Sequence, residues 1–126
     1  PRPANRMVIV DTSIWINHFR RADGALIDLL ERPLVLTHPA VVGELACGTL
    51  RRRGEILDWM RDLPRATVAR DDEVLQLIEH AELWGRGIGW VDAHLAAAAR
   101  LGSDRIWTAD RRLRNVCADL EIAYTP

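Results

Sequence analysis

Four acidic residues that lie far apart in the sequence occupy positions where an unpartnered carboxylate would be costly: Asp11, Glu44, Asp92 and Asp110. Asp11 directly follows the apolar run of residues 7–10, and Glu44 is the only charged residue in the segment 39–47. Burying an ionised carboxylate costs free energy, and carboxylates placed together raise one another's pKa values unless a cation neutralises them. The pattern therefore predicts a site for a divalent metal ion.

Glu44 carries the most weight in this prediction. The helix predicted over residues 39–47 is apolar on every side of Glu44 and offers it no neighbouring Lys or Arg. A helix that is apolar all round is normally buried, and a buried Glu is rare without a partner. The other three acids have an ordinary alternative role, since Asp11 and Asp110 could be helix N-caps and Asp92 a first-turn acid.

The donor atoms at such a site would be carboxylate oxygens, which favour hard cations such as Mg²⁺ or Mn²⁺. A cation of this kind can generate a nucleophile from water and stabilise the leaving oxygen in phosphodiester hydrolysis. Three hydroxyl side chains near the acids could orient water or the metal ligands, although helix capping is an equally good role for each: Thr12, Ser13 and Thr108.

The basic residues exclude several other chemistries. All 17 are Arg, so the chain lacks the Lys that a Walker A loop or a Schiff-base enzyme requires. The histidines and cysteines do not have the spacing of a zinc site. The segment 85–89 contains three glycines but follows a helical pattern instead of a strand, so we interpret it as a turn that brings Asp92 into place.

Apolar periodicity predicts strands that alternate with helices. Strands are expected at 8–10, 34–37, 66–69, 105–108 and 122–124, and helices at 14–19, 25–31, 39–47, 54–63, 71–84, 91–101 and 111–117. This alternation is typical of an α/β fold, here a three-layer α/β/α sandwich with a mainly parallel central sheet. Such sheets place their sites at the carboxyl ends of strands, where Asp11 and Asp110 both fall.

With 126 residues, the chain has the length of one ordinary domain that buries its own core without disulfides. We assign this domain to residues 7–126 and interpret residues 1–6 as an irregular lead or a remnant of protein expression. No apolar run approaches the roughly 18 residues of a membrane span. Cys47 and Cys117 lie in apolar helical patterns, which predicts buried free thiols and a reducing cytoplasm.

Four short motifs resemble, in order and spacing, those of PIN-domain ribonucleases of the VapC toxin type. They are Val-Ile-Val-Asp-Thr-Ser at 8–13, Gly-Glu-Leu at 43–45, Gly-Trp-Val-Asp-Ala-His-Leu at 89–95 and Trp-Thr-Ala-Asp-Arg-Arg-Leu at 107–113. Each motif alone is short, but all four occur in sequence within one small domain. The resemblance extends from about residue 7 to residue 124.

The resemblance implies a parallel-sheet α/β/α sandwich, Mg²⁺- or Mn²⁺-dependent endonucleolytic cleavage of RNA, homodimers, and inhibition by a cognate VapB-type antitoxin. It places the acidic tetrad of that family at Asp11, Glu44, Asp92 and Asp110. The polar residue near the last acid corresponds to Thr108, and the one after the first acid to Thr12 or Ser13.

We hypothesise that Asp11 and Asp92 bind the metal directly, and that Glu44 and Asp110 complete its shell directly or through water. Arginines near the site could grip RNA phosphates, with a solvated helix face as their alternative role: Arg86, Arg111 and Arg112. Two other functions stay open, a structure-specific DNA nuclease of related fold and a non-catalytic binding module that retains the acids. Such a module would not need the ion.

The five tryptophans exceed what the core of so small a domain usually holds. Trp is enriched at protein interfaces, where its large ring can fill a pocket on the partner. We expect Trp107, which belongs to a central strand, to lie in the core. Trp15 and Trp59 are the candidates for contact with an antitoxin helix or a second subunit.

Overall fold

A parallel sheet of three strands lies at the centre of the computed structural model, which describes residues 6–126. The strand β1 (Val8–Val10) lies between β2 (Val35–Leu36) and β3 (Arg105–Trp107). Val8 pairs with Val35 on one side and with Arg105 on the other. Because β1 is apolar and buried along its whole length, it suits a central parallel strand that is covered on both faces.

Seven helices accompany this sheet within residues 6–126: α1 (Thr12–Arg20), α2 (Gly24–Glu31), α3 (Pro39–Cys47), α4 (Arg53–Arg61), α5 (Asp71–His80), α6 (Trp90–Gly102) and α7 (Arg111–Asp119). The predicted α/β class with a mainly parallel sheet is therefore confirmed. Of the predicted lead at residues 1–6, only Arg6 lies among the described residues. Within the same part of the chain, no helix has both the length and the apolar character needed to cross a membrane.

Two predicted strands are reduced to single bridges. Residues 66–69 form no strand, and the pairing there is one parallel bridge between Thr37 and Arg65. Residues 122–124 lie beside β3 as expected, but only Ala123 bridges to Ile106. Ile106 donates its N–H to the carbonyl of Ile122 and accepts from the N–H of Tyr124, at 2.7 and 2.8 Å. The sheet edges are thus extended by single residues rather than by full strands.

The helix α5 ends at His80, four residues earlier than its apolar pattern predicts. Glu82 adopts a left-handed conformation with φ of 54°, and the N–H of Leu83 donates to the carbonyl of Ile78 at 3.0 Å. This arrangement closes a helix C-terminus by satisfying its last carbonyls. Residues 81–89 therefore form an irregular segment that leads into α6.

The prediction that α3 is buried all round is wrong. Only Val41 and Leu45 of this helix are buried, and Glu44 and Cys47 are exposed. The helix packs against α1 and α4, which cover one of its faces and leave the opposite face to solvent. The helix α3 is apolar because it contains small residues. Such residues do not require that other elements cover every side of the helix. Cys117, in contrast, is fully buried as predicted.

The structure contradicts the predicted position of one tryptophan. Trp107 lies in the core with 6% of its surface exposed, as expected. Trp15 is also in the core, with 0% exposed, so the expectation that it forms part of an interaction surface is wrong. It packs between Phe19 and Trp59, with ring centroids 5.8 and 5.7 Å away. Trp59 itself keeps 43% of its surface exposed.

Candidate active site

Asp11 lies at the carboxyl end of β1, buried to 7% exposure, where its N–H still pairs with the carbonyl of Trp107 at 2.9 Å. Its Oδ2 accepts hydrogen bonds from the hydroxyls of Ser13 and Thr108, both at 2.8 Å. Neither bond uses Oδ1, which is therefore the oxygen available to a further ligand. Although Asp11 precedes α1, its side chain makes no capping hydrogen bond, so the alternative role as an N-cap is wrong.

The hydroxyls of Ser13 and Thr108 join the ends of β1 and β3. The Oγ of Ser13 accepts from the N–H of Ala109, and the Oγ1 of Thr108 accepts from the N–H of Asp110, both at 3.0 Å. The two hydroxyl oxygens are 3.4 Å apart. Each hydroxyl thus accepts a hydrogen bond from a backbone N–H that follows β3 and donates one to Asp11. The carboxylate of Asp11 is therefore held from two directions.

Asp110 caps α7. Its Oδ1 accepts the N–H groups of Arg112 and Leu113 at 2.8 and 3.1 Å, and its side chain is exposed. The alternative role as an N-cap is therefore correct for this residue. Capping uses one carboxylate oxygen, and the charge remains beside the carboxyl ends of β1 and β3.

Glu44 reaches the site from the exposed face of α3, so the argument that predicted it from burial was wrong. Its Oε1 accepts a hydrogen bond of 2.8 Å from the hydroxyl of Thr12, the residue directly after Asp11. The contact fixes the carboxylate of Glu44 next to the first turn of α1. The sequence placed Glu44 in the acidic cluster for the wrong physical reason.

Asp92 lies in the first turn of α6 and is partly buried. Burial raises the pKa of its carboxyl above the ordinary value. The hydrogen bond that Oδ2 accepts from the N–H of Gly89, at 3.3 Å, acts in the opposite sense. The charges of Asp11, Asp110 and Glu44 raise the pKa further, because these three carboxylates lie near enough to Asp92 to repel its charge. We call the space between the four acids the cleft.

The acids fit a divalent cation by charge and by donor type. Mutual repulsion among carboxylates is relieved by a cation, and oxygen ligands suit Mg²⁺ and Mn²⁺. Within residues 6–126, no group of three or more His, Cys, Asp or Glu side chains is already arranged to hold a metal ion. Mg²⁺ is usually bound by one or two carboxylates, with waters in its remaining positions.

The three predicted RNA-binding arginines are placed differently. Arg111 and Arg112 occupy the first turn of α7, directly after Asp110, and both are exposed. Arg86 lies in the segment before α6, where its Nη2 pairs with Oδ2 of Asp119 at 2.7 Å. The side chain of Arg112 lies over Gly87. Two of the three therefore contact groups of the protein itself.

Two backbone groups at the site were not predicted: the N–H of Gly89, which bonds Asp92, and the N–H of Ala109, which bonds Ser13. The only signal in the sequence was the position of Gly89 just before the helix that carries Asp92. Gly is tolerated at an N-cap, where the backbone is extended. No sequence pattern points to Ala109, the single residue between Thr108 and Asp110.

Comparison with known proteins identifies the family. The model of the PIN domain matches residues 8–119. Ribonuclease VapC32 of Mycobacterium tuberculosis, from the strains CDC 1551 / Oshkosh and ATCC 25618 / H37Rv, is 44% identical over 118 residues. The aligned region covers 93% of this chain and 95% of each relative. The chain therefore belongs to the PIN-domain family, as a ribonuclease of the VapC type.

Proposed function

We propose that this protein is a divalent-metal-dependent endoribonuclease that acts as the toxin of a toxin-antitoxin pair. The observation that carries the proposal is the position of the four acids. Asp11 and Asp110 come after β1 and β3, Glu44 is hydrogen-bonded to the residue after Asp11, and the charges of these three raise the pKa of Asp92. The 44% identity to Ribonuclease VapC32 over nearly the full length of both chains supports RNA as the substrate.

Asp11 and Asp92 are the proposed direct ligands of Mg²⁺, for which Mn²⁺ can substitute. Asp11 offers Oδ1, because its Oδ2 already accepts two hydroxyl hydrogen bonds. Glu44 and Asp110 complete the shell directly or through water. When bound, the cation supplies Lewis-acid activation of water and stabilisation of charge at the scissile phosphate.

The residues of the chain supply orientation. Ser13 and Thr108 hold Asp11 in one rotamer through their bonds to Oδ2, and Thr12 holds Glu44. Fixed carboxylates lose little freedom when they engage a ligand, which favours binding in a single geometry. Arg111, exposed beside Asp110, is placed to bind a phosphate of the RNA backbone with its planar guanidinium.

Replacing Asp11 by Asn tests the proposed function. The change keeps the shape of the side chain but removes its charge, so we expect Mg²⁺-dependent RNA cleavage to fall by about a thousandfold, as loss of several kcal/mol of metal-assisted stabilisation implies. Circular dichroism should show an intact fold, and chelator should abolish cleavage by the unmodified protein. Asp28→Asn, at an exposed acid paired with Arg32, is the matched control. Unchanged cleavage by the Asp11→Asn protein would contradict the proposal.

A groove beside the site suits the antitoxin. It has a volume of about 1010 Å³ and lies between α1, the turn after α3, and α4. Its floor is apolar, and its rim carries three arginines and Glu55, which pairs with Arg52. The lining residues include Ile16, Phe19, Leu45, Leu50, Ile56, Trp59, Arg20, Arg51 and Arg52. An amphipathic segment with acidic residues at its margins matches this lining. We place the VapB-type antitoxin here.

Substitution of Trp59 tests this placement. Its exposed ring belongs to the groove, so Trp59→Ala should weaken antitoxin binding by at least about tenfold, as removal of an aromatic anchor commonly does. Trp84, which is 60% exposed and does not line the groove, provides the matched Trp84→Ala control. Equal antitoxin affinity of the Trp59→Ala and unmodified proteins, measured by titration calorimetry, would contradict the placement.

A homodimer and a cytoplasmic location belong to the same proposal. Apolar side chains outside the groove are exposed, among them Val68, Leu75 and Trp90, and an interface between two copies would cover such residues. Analytical ultracentrifugation tests the dimer, and a monomer at every concentration would contradict it. The cytoplasm is where an RNA-cleaving toxin meets its substrate.

A further inference from the structure

The segment 81–89 leads into α6, the helix that carries Asp92. It contains two glycines with left-handed backbone conformations, Gly85 with φ of 73° and Gly87 with φ of 82°. It ends at Gly89, whose N–H donates to the Asp92 carboxylate. The position of this segment therefore sets the position of one proposed metal ligand. Two side-chain contacts fasten the segment to α7.

The first contact is the ion pair between Arg86 and Asp119. The guanidinium Nη2 lies 2.7 Å from Oδ2 of Asp119, and the Arg86 side chain is 31% exposed. The pair joins the segment to the last residue of α7. A charge-assisted hydrogen bond with a short separation of this kind fixes direction as well as distance.

The second contact is made by Arg112 in the first turn of α7. A Cβ placed on Gly87 would lie 2.5 Å from Cδ of Arg112 and 3.0 Å from its Nε and Nη1. The Arg112 side chain therefore lies directly on the backbone of Gly87, in space that any other residue would occupy. The contact needs glycine for this reason and for the left-handed φ of 82°.

Both contacts link α7 to the segment before α6, and each of these helices presents one proposed metal ligand. Asp110 caps α7, and Asp92 lies in the first turn of α6. The two carboxylates repel each other, so without a bound cation their charges favour separation. A connection across the cleft opposes that separation.

We infer that Arg86, Asp119 and Arg112 are positioning residues that clamp the segment 81–89 to α7 and thereby hold Asp92 and Asp110 at the separation that the metal requires. The inference rests on the proposed function for its metal. It gives two of the three predicted RNA-binding arginines a role within the protein. Removing a side chain that hydrogen-bonds a metal ligand commonly lowers metal affinity by about 10–100-fold, and these three residues, which act one contact further away, should fall at the lower end of that range.

Charge reversal tests the ion pair. Arg86→Asp and Asp119→Arg should each weaken Mn²⁺ binding by about tenfold, and the double variant, in which the charges are exchanged, should restore it. Mn²⁺ affinity is measured by titration calorimetry, and hydrogen exchange of the amides at 85–89 reports the clamp without metal. Exchange should be faster in both single variants and return to the original rate in the double variant. Asp28→Asn, on α2, is the control for loss of an exposed ion pair.

The two left-handed glycines provide a matched test of the Arg112 contact. Gly87→Ala and Gly85→Ala impose similar backbone strain, but a Cβ at Gly85 would meet nothing within 4 Å, whereas one at Gly87 displaces Arg112. We expect faster exchange at 85–89 and weaker Mn²⁺ binding in Gly87→Ala than in Gly85→Ala. Identical behaviour of the two variants would overturn the contribution of Arg112.

The rival role of Arg86 gives a different pattern. If Arg86 binds RNA, Arg86→Asp raises KM for RNA, leaves Mn²⁺ affinity and amide exchange unchanged, and is not rescued by Asp119→Arg. That pattern would overturn the clamp. Failure of the unmodified protein to bind Mn²⁺ would overturn both the metal site and the positioning role. Intact Mn²⁺ binding without RNA cleavage would contradict only the proposed function and leave the clamp supported by its own variants.

Discussion

The helices α3 and α6 are both rich in apolar residues and each presents one acid to the cleft, yet they are buried to very different extents. In α6 the buried residues are Ala93, Leu95, Ala96, Ala97, Ala98, Ala99 and Gly102, whereas α3 buries Val41 and Leu45. The helix α6 packs against both β3 and α5, and α3 packs against α1 and α4. Composition alone does not distinguish a helix inside the fold from one on its surface.

The acids on these two helices also differ in how far they are buried. Asp92 is partly buried, bonded to the backbone of Gly89, and has a raised pKa. Glu44 is exposed and held by the Thr12 hydroxyl. A carboxylate that is desolvated and surrounded by like charges gains more from a cation than an exposed one. The two helix-borne acids should therefore contribute unequally to the proposed metal site.

Isosteric substitution should distinguish the contributions of Asp92 and Glu44 most clearly. Asp92→Asn is expected to reduce RNA cleavage by about a thousandfold, as for loss of a direct metal ligand, whereas Glu44→Gln should reduce it by about 10–100-fold. Cleavage rates of both variants are measured over a range of Mg²⁺ concentrations. Equal losses would show that burial does not determine the contribution of each acid.

Acid should destabilise the protein through the residue that caps α3. His38 is buried, its Nδ1 accepts the N–H of Ala40 at 3.0 Å, and its pKa is lowered from 6.5 to about 4 by burial, with repulsion from His94 and Arg65. Between about pH 4 and pH 6.5, His38 therefore binds more protons in the unfolded chain than in the folded chain. Stability present above pH 6.5 should fall by up to about 3 kcal/mol as the pH is lowered to 4. The N-cap of α6, in contrast, is Gly89, which has no side chain to titrate.

Urea unfolding between pH 4 and 7 measures this effect. His38→Asn retains a side-chain acceptor for the cap and should remove most of the His38 contribution to the pH dependence. His80→Asn, at an exposed histidine, is the control and should leave the dependence unchanged. If the pH dependence of stability persists in full in His38→Asn, other titratable groups must cause it.

Substitutions that add atoms should have opposite effects on the two helices. Ala98 of α6 is fully buried, so Ala98→Leu should destabilise the fold by about 1–3 kcal/mol through overpacking. Gly43 of α3 is exposed, and a Cβ there would meet nothing within 4 Å, so Gly43→Ala should stabilise the fold by about 0.5–1 kcal/mol. Thermal unfolding measures both, and destabilisation by Gly43→Ala would contradict the exposure of that face.

The sequence predicted the features that depend on local patterns. The strands predicted at 8–10 and 105–108, the helix at 39–47 and the acids at strand ends follow from apolar runs and from residues suited to capping, and β3 is one residue shorter than predicted. It could not predict which face of α3 is covered, because that depends on where α1 and α4 lie. The same limit explains why Trp15 was assigned to a surface: it and Trp59 follow similar helical patterns, and only packing separates them.

The placement of β1 has a consequence for biosynthesis. The residues of β1 are synthesised before those of its partner β3, which spans Arg105–Trp107, and the last acid of the cleft follows at Asp110. A nascent chain released or stalled before these residues emerge has neither the second neighbour of its central strand nor a complete set of carboxylates. The proposed activity therefore requires that synthesis has continued past Asp110.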